Sequence, residues 1–157
     1  MKPRIFISSV SAEFASTRDV IAKILLRLGY EPEWEEIFHT EDGEIPQNLR
    51  EKIEGCHGLI HLVGQGYGTD CPEDDQELGR VSYTQFEFLH ARRKGRKTWL
   101  ILPGSKCHRD RNTTQLLSSD GATKRTLQAN YEEWIRSGNH LYHEPKNDTE
   151  LELTIER

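Results

Sequence analysis

Three separated segments carry the side chains best suited to handling a small ligand. Ser8-Ser9-Val10-Ser11 offers hydroxyls directly ahead of an amphipathic run. Gly64-Gln65-Gly66-Tyr67-Gly68 offers glycines, whose missing side chains let backbone approach a ligand closely. Ser82-Tyr83-Thr84-Gln85 has the capping-box form, so a helix starts at Tyr83 and places Tyr83 and Glu87 one turn apart on one face. Hydroxyls, a helix start and one carboxylate suit the binding and polarising of a polar ligand. Each has a plainer reading as well. Glu87, between Phe86 and Phe88, fits the solvent-facing position of an ordinary helix, the glycines fit turns that end a strand, and Tyr67 fits a cap on the core.

Other chemistries find no support. The seven histidines do not cluster with metal-ligand spacing: Cys56-His57 and Cys107-His108 are neighbours that point apart, and His140 and His143 flank a short strand. No metal or cofactor is expected. The Gly-x-x-x-x-Gly-Lys-Ser/Thr run of a P-loop is absent, and the glycines at 64, 66 and 68 have the wrong spacing for a dinucleotide fingerprint. Cysteines number three and are widely spaced, which argues against a disulfide framework and for a reducing, cytoplasmic setting; Cys56 reads as packing.

The elements that hold these segments follow from the apolar pattern. The chain has 157 residues and a formal charge of −5, and its mean hydropathy of −0.76 is polar. Leu, Ile, Val and Phe still total 36 residues, enough for one folded domain with a small core. No apolar run approaches the roughly 18 residues of a membrane span, and nothing resembles a secretory signal. Mild acidity disfavours nucleic acid as a partner, and the basic run Arg92-Arg93-Lys94-Gly95-Arg96-Lys97 reads as a solvated helix end.

Short apolar runs predict strands at Arg4 to Ile7, Tyr30 to Ile37, Gly58 to Val63, Thr98 to Leu102 and Leu141 to His143. Between them lie helices from about Ala12 to Leu28 (Ser11 as N-cap), from Pro46 to Gly55, from Tyr83 to Lys94, from Thr123 to Arg136 and from Thr149 onward. Phe38 to Ile45 and the polar stretch Lys106 to Asp120 read as loops. Strict alternation implies an α/β fold, a five-stranded parallel doubly wound sheet with right-handed crossovers, for which the flavodoxin-like order 2-1-3-4-5 is expected. Its switch point lies between strands 1 and 3, where ligands bind beyond the carboxyl ends. Ser8-Ser9 and the Gly64–Gly68 loop leave those two ends, and the third helix starts at the same edge. A phospho-receiver needs acids there; Ser8, Ser9, Val63 and Gly64 supply none.

Taken together, Phe6-Ile7-Ser8-Ser9, a following helix with Arg18, Leu62-Val63-Gly64-Gln65-Gly66-Tyr67-Gly68, and Ser82-Tyr83-Thr84-Gln85-Phe86-Glu87-Phe88 with Ala91 carry a likeness. The sequence resembles the TIR-like domain of unknown function, within the TIR and nucleoside deoxyribosyltransferase superfamily. The likeness is good over residues 4 to 103 and looser beyond. It implies that residues 1–157 form one TIR-like domain, the N-terminal part of a longer multidomain protein, as the abrupt end Ile155-Glu156-Arg157 also suggests.

The resemblance further implies cleavage of an N-glycosidic bond, with NAD+ as substrate and Glu87 as the matching catalytic glutamate. Breaking the ribose–nicotinamide bond builds positive charge on the sugar, and nicotinamide leaves neutral without a general acid. One carboxylate at the ribose then suffices. On this reading Ser8, Ser9 and the backbone of Gly64, Gly66 and Gly68 hold phosphates or ribose, with Ser82 beside them, while Tyr67 or Tyr83 stacks on a base. The implied setting is bacterial antiviral defence, with activation by self-association under an attached C-terminal sensor or STAND NTPase region. A non-catalytic assembly module, pairing the acidic second strand with the basic 92–97 run, and a base-exchanging transferase are the alternatives. The acidic stretch Asp70 to Glu77 is expected near the crevice as a possible gate.

Overall fold

The computed structural model describes residues 2–35, 47–111 and 113–156. In chain order the elements are β1 (Arg4–Ser8), α1 (Ser11–Arg27), β2 (Glu31–Glu33), α2 (Gln47–Glu54), β3 (Gly58–Leu62), α3 (Tyr83–Arg93), β4 (Lys97–Ile101), α4 (Thr113–Ser137), β5 (Tyr142–His143) and α5 (Asp148–Glu156). The strands form one sheet in the order β2-β1-β3-β4-β5, every pairing parallel. This is the expected doubly wound architecture. Ile7 pairs with Ile60 and Ser8 with His61, so β1 and β3 end side by side at the switch point.

Both faces of β1 and β3 are buried because side chains alternate across the sheet. Phe6, Leu59 and Leu100 join Leu49, Ile53, Phe88 and Ile135 in a core on one face. Ile5, Ile7, Ile60 and Leu62 meet Phe14, Ile21, Leu25 and Leu151 on the other. No helix among the described residues is long and apolar enough to cross a membrane.

Three elements differ from expectation. The second strand is short, Glu31–Glu33: Trp34 and Glu35 follow it without strand pairing, and residues 36–37, the loop Phe38 to Ile45 and Pro46 lie outside the described residues. Ser11 is not the N-cap of α1: Val10 takes that position without a side-chain cap, and the Ser11 hydroxyl accepts from Arg18 Nη1 at 3.1 Å. The stretch read as a polar loop up to Asp120 contains the start of α4. Gly121, at φ +74° and ψ 169°, separates that first helical piece from the one the apolar pattern announces.

Candidate active site

The start of α3 is fixed before any ligand is considered. Ser82 Oγ accepts from Gln85 N–H, and Ser82 N–H donates back to Gln85 Oε1, both at 3.1 Å. Gln85 Nε2 then donates to Gln128 Oε1 at 2.9 Å, and Gln128 Nε2 donates to the Gly64 carbonyl at 2.8 Å. A single side chain of α4 thus ties the α3 cap to the glycine loop, and α3 sends Glu87 toward the end of β1.

Glu87 is only 3% exposed, so the solvent-facing reading of that position does not hold. Its Oε1 accepts from Ser8 Oγ at 2.8 Å. The same residue lines a hollow of about 190 Å³ together with Ser9, Ser11, Glu35, Gly68 and Tyr83. Burial holds the Glu87 carboxyl well above the ordinary carboxylate range; the Ser8 hydroxyl opposes this, the charge of Glu35 adds to it, and that of Arg18 opposes it. Glu35 itself is paired with Lys52 at 2.8 Å.

The other expected site residues divide by position. Ser9, Gly68 and Tyr83 line the hollow, and Ser9 Oγ has no hydrogen-bond partner among the described residues. Ser8 is fully buried behind the carboxylate, its hydroxyl within 3.2 Å of the Thr84 carbonyl as well as of Glu87. Ser82 serves the helix cap. Tyr67 is buried and donates to Asp70 Oδ1 at 2.8 Å. Gly66 N–H donates to Glu13 Oε1 at 2.8 Å, and a Cβ on Gly64 would stand 2.3 Å from Glu13 Oε2. The glycine loop therefore faces a buried glutamate rather than the hollow, except at Gly68.

The sequence reading missed several of these parts. Glu13 clamps the loop and pairs with Arg109 at 2.7 Å. Arg109 also donates to the carbonyls of Pro103 and Gly104. Glu35 was legible only as one of an acidic run. His61 stands behind Ser8, its Nδ1 2.9 Å from Ser8 Oγ, and the Tyr131 hydroxyl lies 2.8 Å from His61 Nε2. A histidine in the middle of a buried strand was the available signal for that pair.

The charged segments are spent within the fold. Asp70 binds Arg80 at 2.6 Å, and Asp75 accepts from Leu78 N–H and pairs with Arg93, so these acids brace their own loop. In the basic run, Lys94 lies 3.5 Å from Glu54, Arg96 donates to the Glu54 carbonyl, Arg92 covers Trp134 and Lys97 covers Trp99.

Residues 4–157 match the family model described as Domain of unknown function (DUF4062). The chain belongs to the DUF4062 family. Among solved structures, this DUF4062 domain is similar to the CMP N-glycosidase BcmB of Clostridium botulinum, with TM-score 0.50 and 16% identity over 97% of this chain and 96% of that one. It is also similar to the TIR domains of the activated Roq1 resistosome that directly recognises the pathogen effector XopQ, with TM-score 0.58 and 8% identity over 98% and 97% of the two chains. At these identities the likeness is one of fold, and it agrees with the TIR-like architecture. No curated protein matches the chain in sequence.

Proposed function

We propose that this DUF4062 domain hydrolyses the N-glycosidic bond of NAD+, releasing nicotinamide. The observation that carries the reading is Glu87: buried, oriented by Ser8, and on the wall of a hollow at the switch point. The C1′–N bond breaks with its electron pair going to nicotinamide, which leaves as a neutral base. Positive charge then grows on the ribose ring beside the Glu87 carboxylate, and water attacks C1′ and releases its proton to bulk solvent. The unpartnered Ser9 hydroxyl and the uncapped start of α1 face the same space and suit the polar parts of a dinucleotide. Tyr83 offers a ring as one wall.

Burial keeps Glu87 protonated more readily than an exposed glutamate, and a pyridinium cation in the hollow favours its ionised form. Binding and ionisation are therefore coupled, and turnover of NAD+ rises with pH through the raised Glu87 titration. The same raised carboxyl supports a second reading, hydrolysis or transfer on a nucleoside or nucleotide with a neutral leaving base. There the acid form donates the proton, and turnover falls as pH rises. Activation by self-association under an attached sensor or NTPase region, in bacterial defence, completes the proposal.

The test is incubation with NAD+ at concentrations where light scattering shows self-association, with nicotinamide followed by chromatography. Wild type releases nicotinamide, and Glu87→Gln loses the activity by about 10³-fold or more. Assembled protein that leaves NAD+ intact overturns the NAD+ reading; base release from CMP or a deoxynucleoside then selects the second.

A further inference from the structure

The Ser8 hydroxyl has one proton and three neighbours able to accept it: Glu87 Oε1 at 2.8 Å, His61 Nδ1 at 2.9 Å and the Thr84 carbonyl at 3.2 Å. Which one receives it decides whether Glu87 is supported as an anion. A neutral imidazole carries one N–H, so its two nitrogens cannot both accept. His61 is wholly buried, and burial pushes its titration down to about 3, so the neutral ring is the working form. Its Nε2 lies 2.8 Å from the Tyr131 hydroxyl. Phe88 stacks on the ring at 5.1 Å and 16°, which keeps it from turning.

We propose that Tyr131 and His61 are positioning residues that aim the Ser8 hydroxyl at Glu87. Tyr131 O–H donates to His61 Nε2, which fixes the proton on Nδ1. Nδ1–H donates to Ser8 Oγ, and the single Ser8 proton is left for the Glu87 carboxylate. In this direction every donor along the chain has an acceptor. In the opposite direction the Tyr131 proton finds no acceptor among the described residues. Burial of Glu87 opposes ionisation, and the relay opposes burial.

Few other charges reach the relay. Arg18 from α1 and Glu35 beyond β2 act on Glu87, and Asp75 acts on Tyr131. The sequence distances, 53 residues from Ser8 to His61 and 70 from His61 to Tyr131, make this a product of the fold rather than of any local motif.

The inference rests on Glu87 as the working carboxylate, yet its test reads ionisation and not turnover, so a domain inactive on NAD+ leaves the result standing. Nitrogen-15 NMR of histidine-labelled wild type reads the His61 tautomer, with the proton expected on Nδ1. Carboxyl carbon-13 titration of Glu87 is then compared in wild type, Tyr131→Phe, Ser8→Ala and the double variant. Tyr131→Phe raises the Glu87 midpoint by about one pH unit, tenfold in proton affinity. Ser8→Ala raises it at least as far, and the double variant matches Ser8→Ala alone. A proton on Nε2 in wild type, an unmoved midpoint in Tyr131→Phe, or additive shifts overturns the proposal. Should Tyr131→Phe fail to fold by circular dichroism, the wild-type tautomer decides.

Discussion

Glu13, in the first turn of α1, and Glu87, in α3, are both buried side chains at the carboxyl edge of the sheet. Glu13 accepts from Gln65 N–H at 3.1 Å, Gly66 N–H at 2.8 Å and Arg109 Nε at 2.7 Å. Its charge is met by a full guanidinium and two backbone dipoles, and Gly64 leaves room for it. Among the described residues, Glu87 has a single hydroxyl on Oε1 and an open hollow beside it. The first region is a clip from a helix turn across two loops, closed by its own hydrogen bonds. The second has fewer partners among the described residues, and the proposed substrate would bring the positive charge that suits it. Burial alone does not separate a structural carboxylate from a working one; the completeness of its surroundings does.

The comparison is sharpest where the two glutamates are removed. Glu87→Gln costs about 10³-fold or more in turnover while the protein stays folded, since the amide keeps the shape and sheds an uncompensated charge. Glu13→Ala does the reverse: it strands the Arg109 guanidinium, 11% exposed at its side chain, and destabilises by about 3–5 kcal/mol. Urea unfolding followed by tryptophan fluorescence checks this, and a loss under 1 kcal/mol would show the clip to be replaceable. Gly64→Ala comes next in size. Its Cβ would press on a carboxylate that three donors hold in place, for about 1–3 kcal/mol of destabilisation by the same measurement.

These two regions also differ in how far they could be read from sequence. The capping box at Ser82 and the spacing to Glu87 are local, so the helix start and the direction of the carboxylate were visible. Alternation of short apolar runs was enough for a parallel sheet covered on both faces, because right-handed crossovers admit few arrangements, while the strand order came from the flavodoxin-like pattern and not from the runs themselves. The Glu13–Arg109 clip spans 96 residues and joins a helix turn to a polar loop, and neither partner stands in a pattern that announces the other. The glycines were correctly seen as places of close approach, but what approaches Gly64 is a side chain of the same protein. The first part of α4 was missed because a largely polar segment shows no apolar stripe. The basic run looked like a free surface, since most of what answers it, Glu54, Asp75 and Trp134, comes from other elements.

The smallest expected effect tests the contrast without any substrate. The Glu87 carboxyl titrates well above its ordinary 4.5 in the folded chain, chiefly through burial. A folded-state titration raised in this way gives stability that is full below the ordinary value and is lost as pH climbs through the folded one. Glutamine has no proton to lose. Melting temperatures of wild type and Glu87→Gln should therefore converge at acid pH, and the variant should melt higher near pH 7, with the gap opening between. Glu13→Gln should melt lower than wild type at pH 7, because the amide cannot return the charge that Arg109 meets. Opposite signs for two buried glutamates at one sheet edge are the result that would separate a clip from a site. A gap at Glu87 that stays flat from pH 4 to pH 8 would mean that the hollow already solvates its carboxylate.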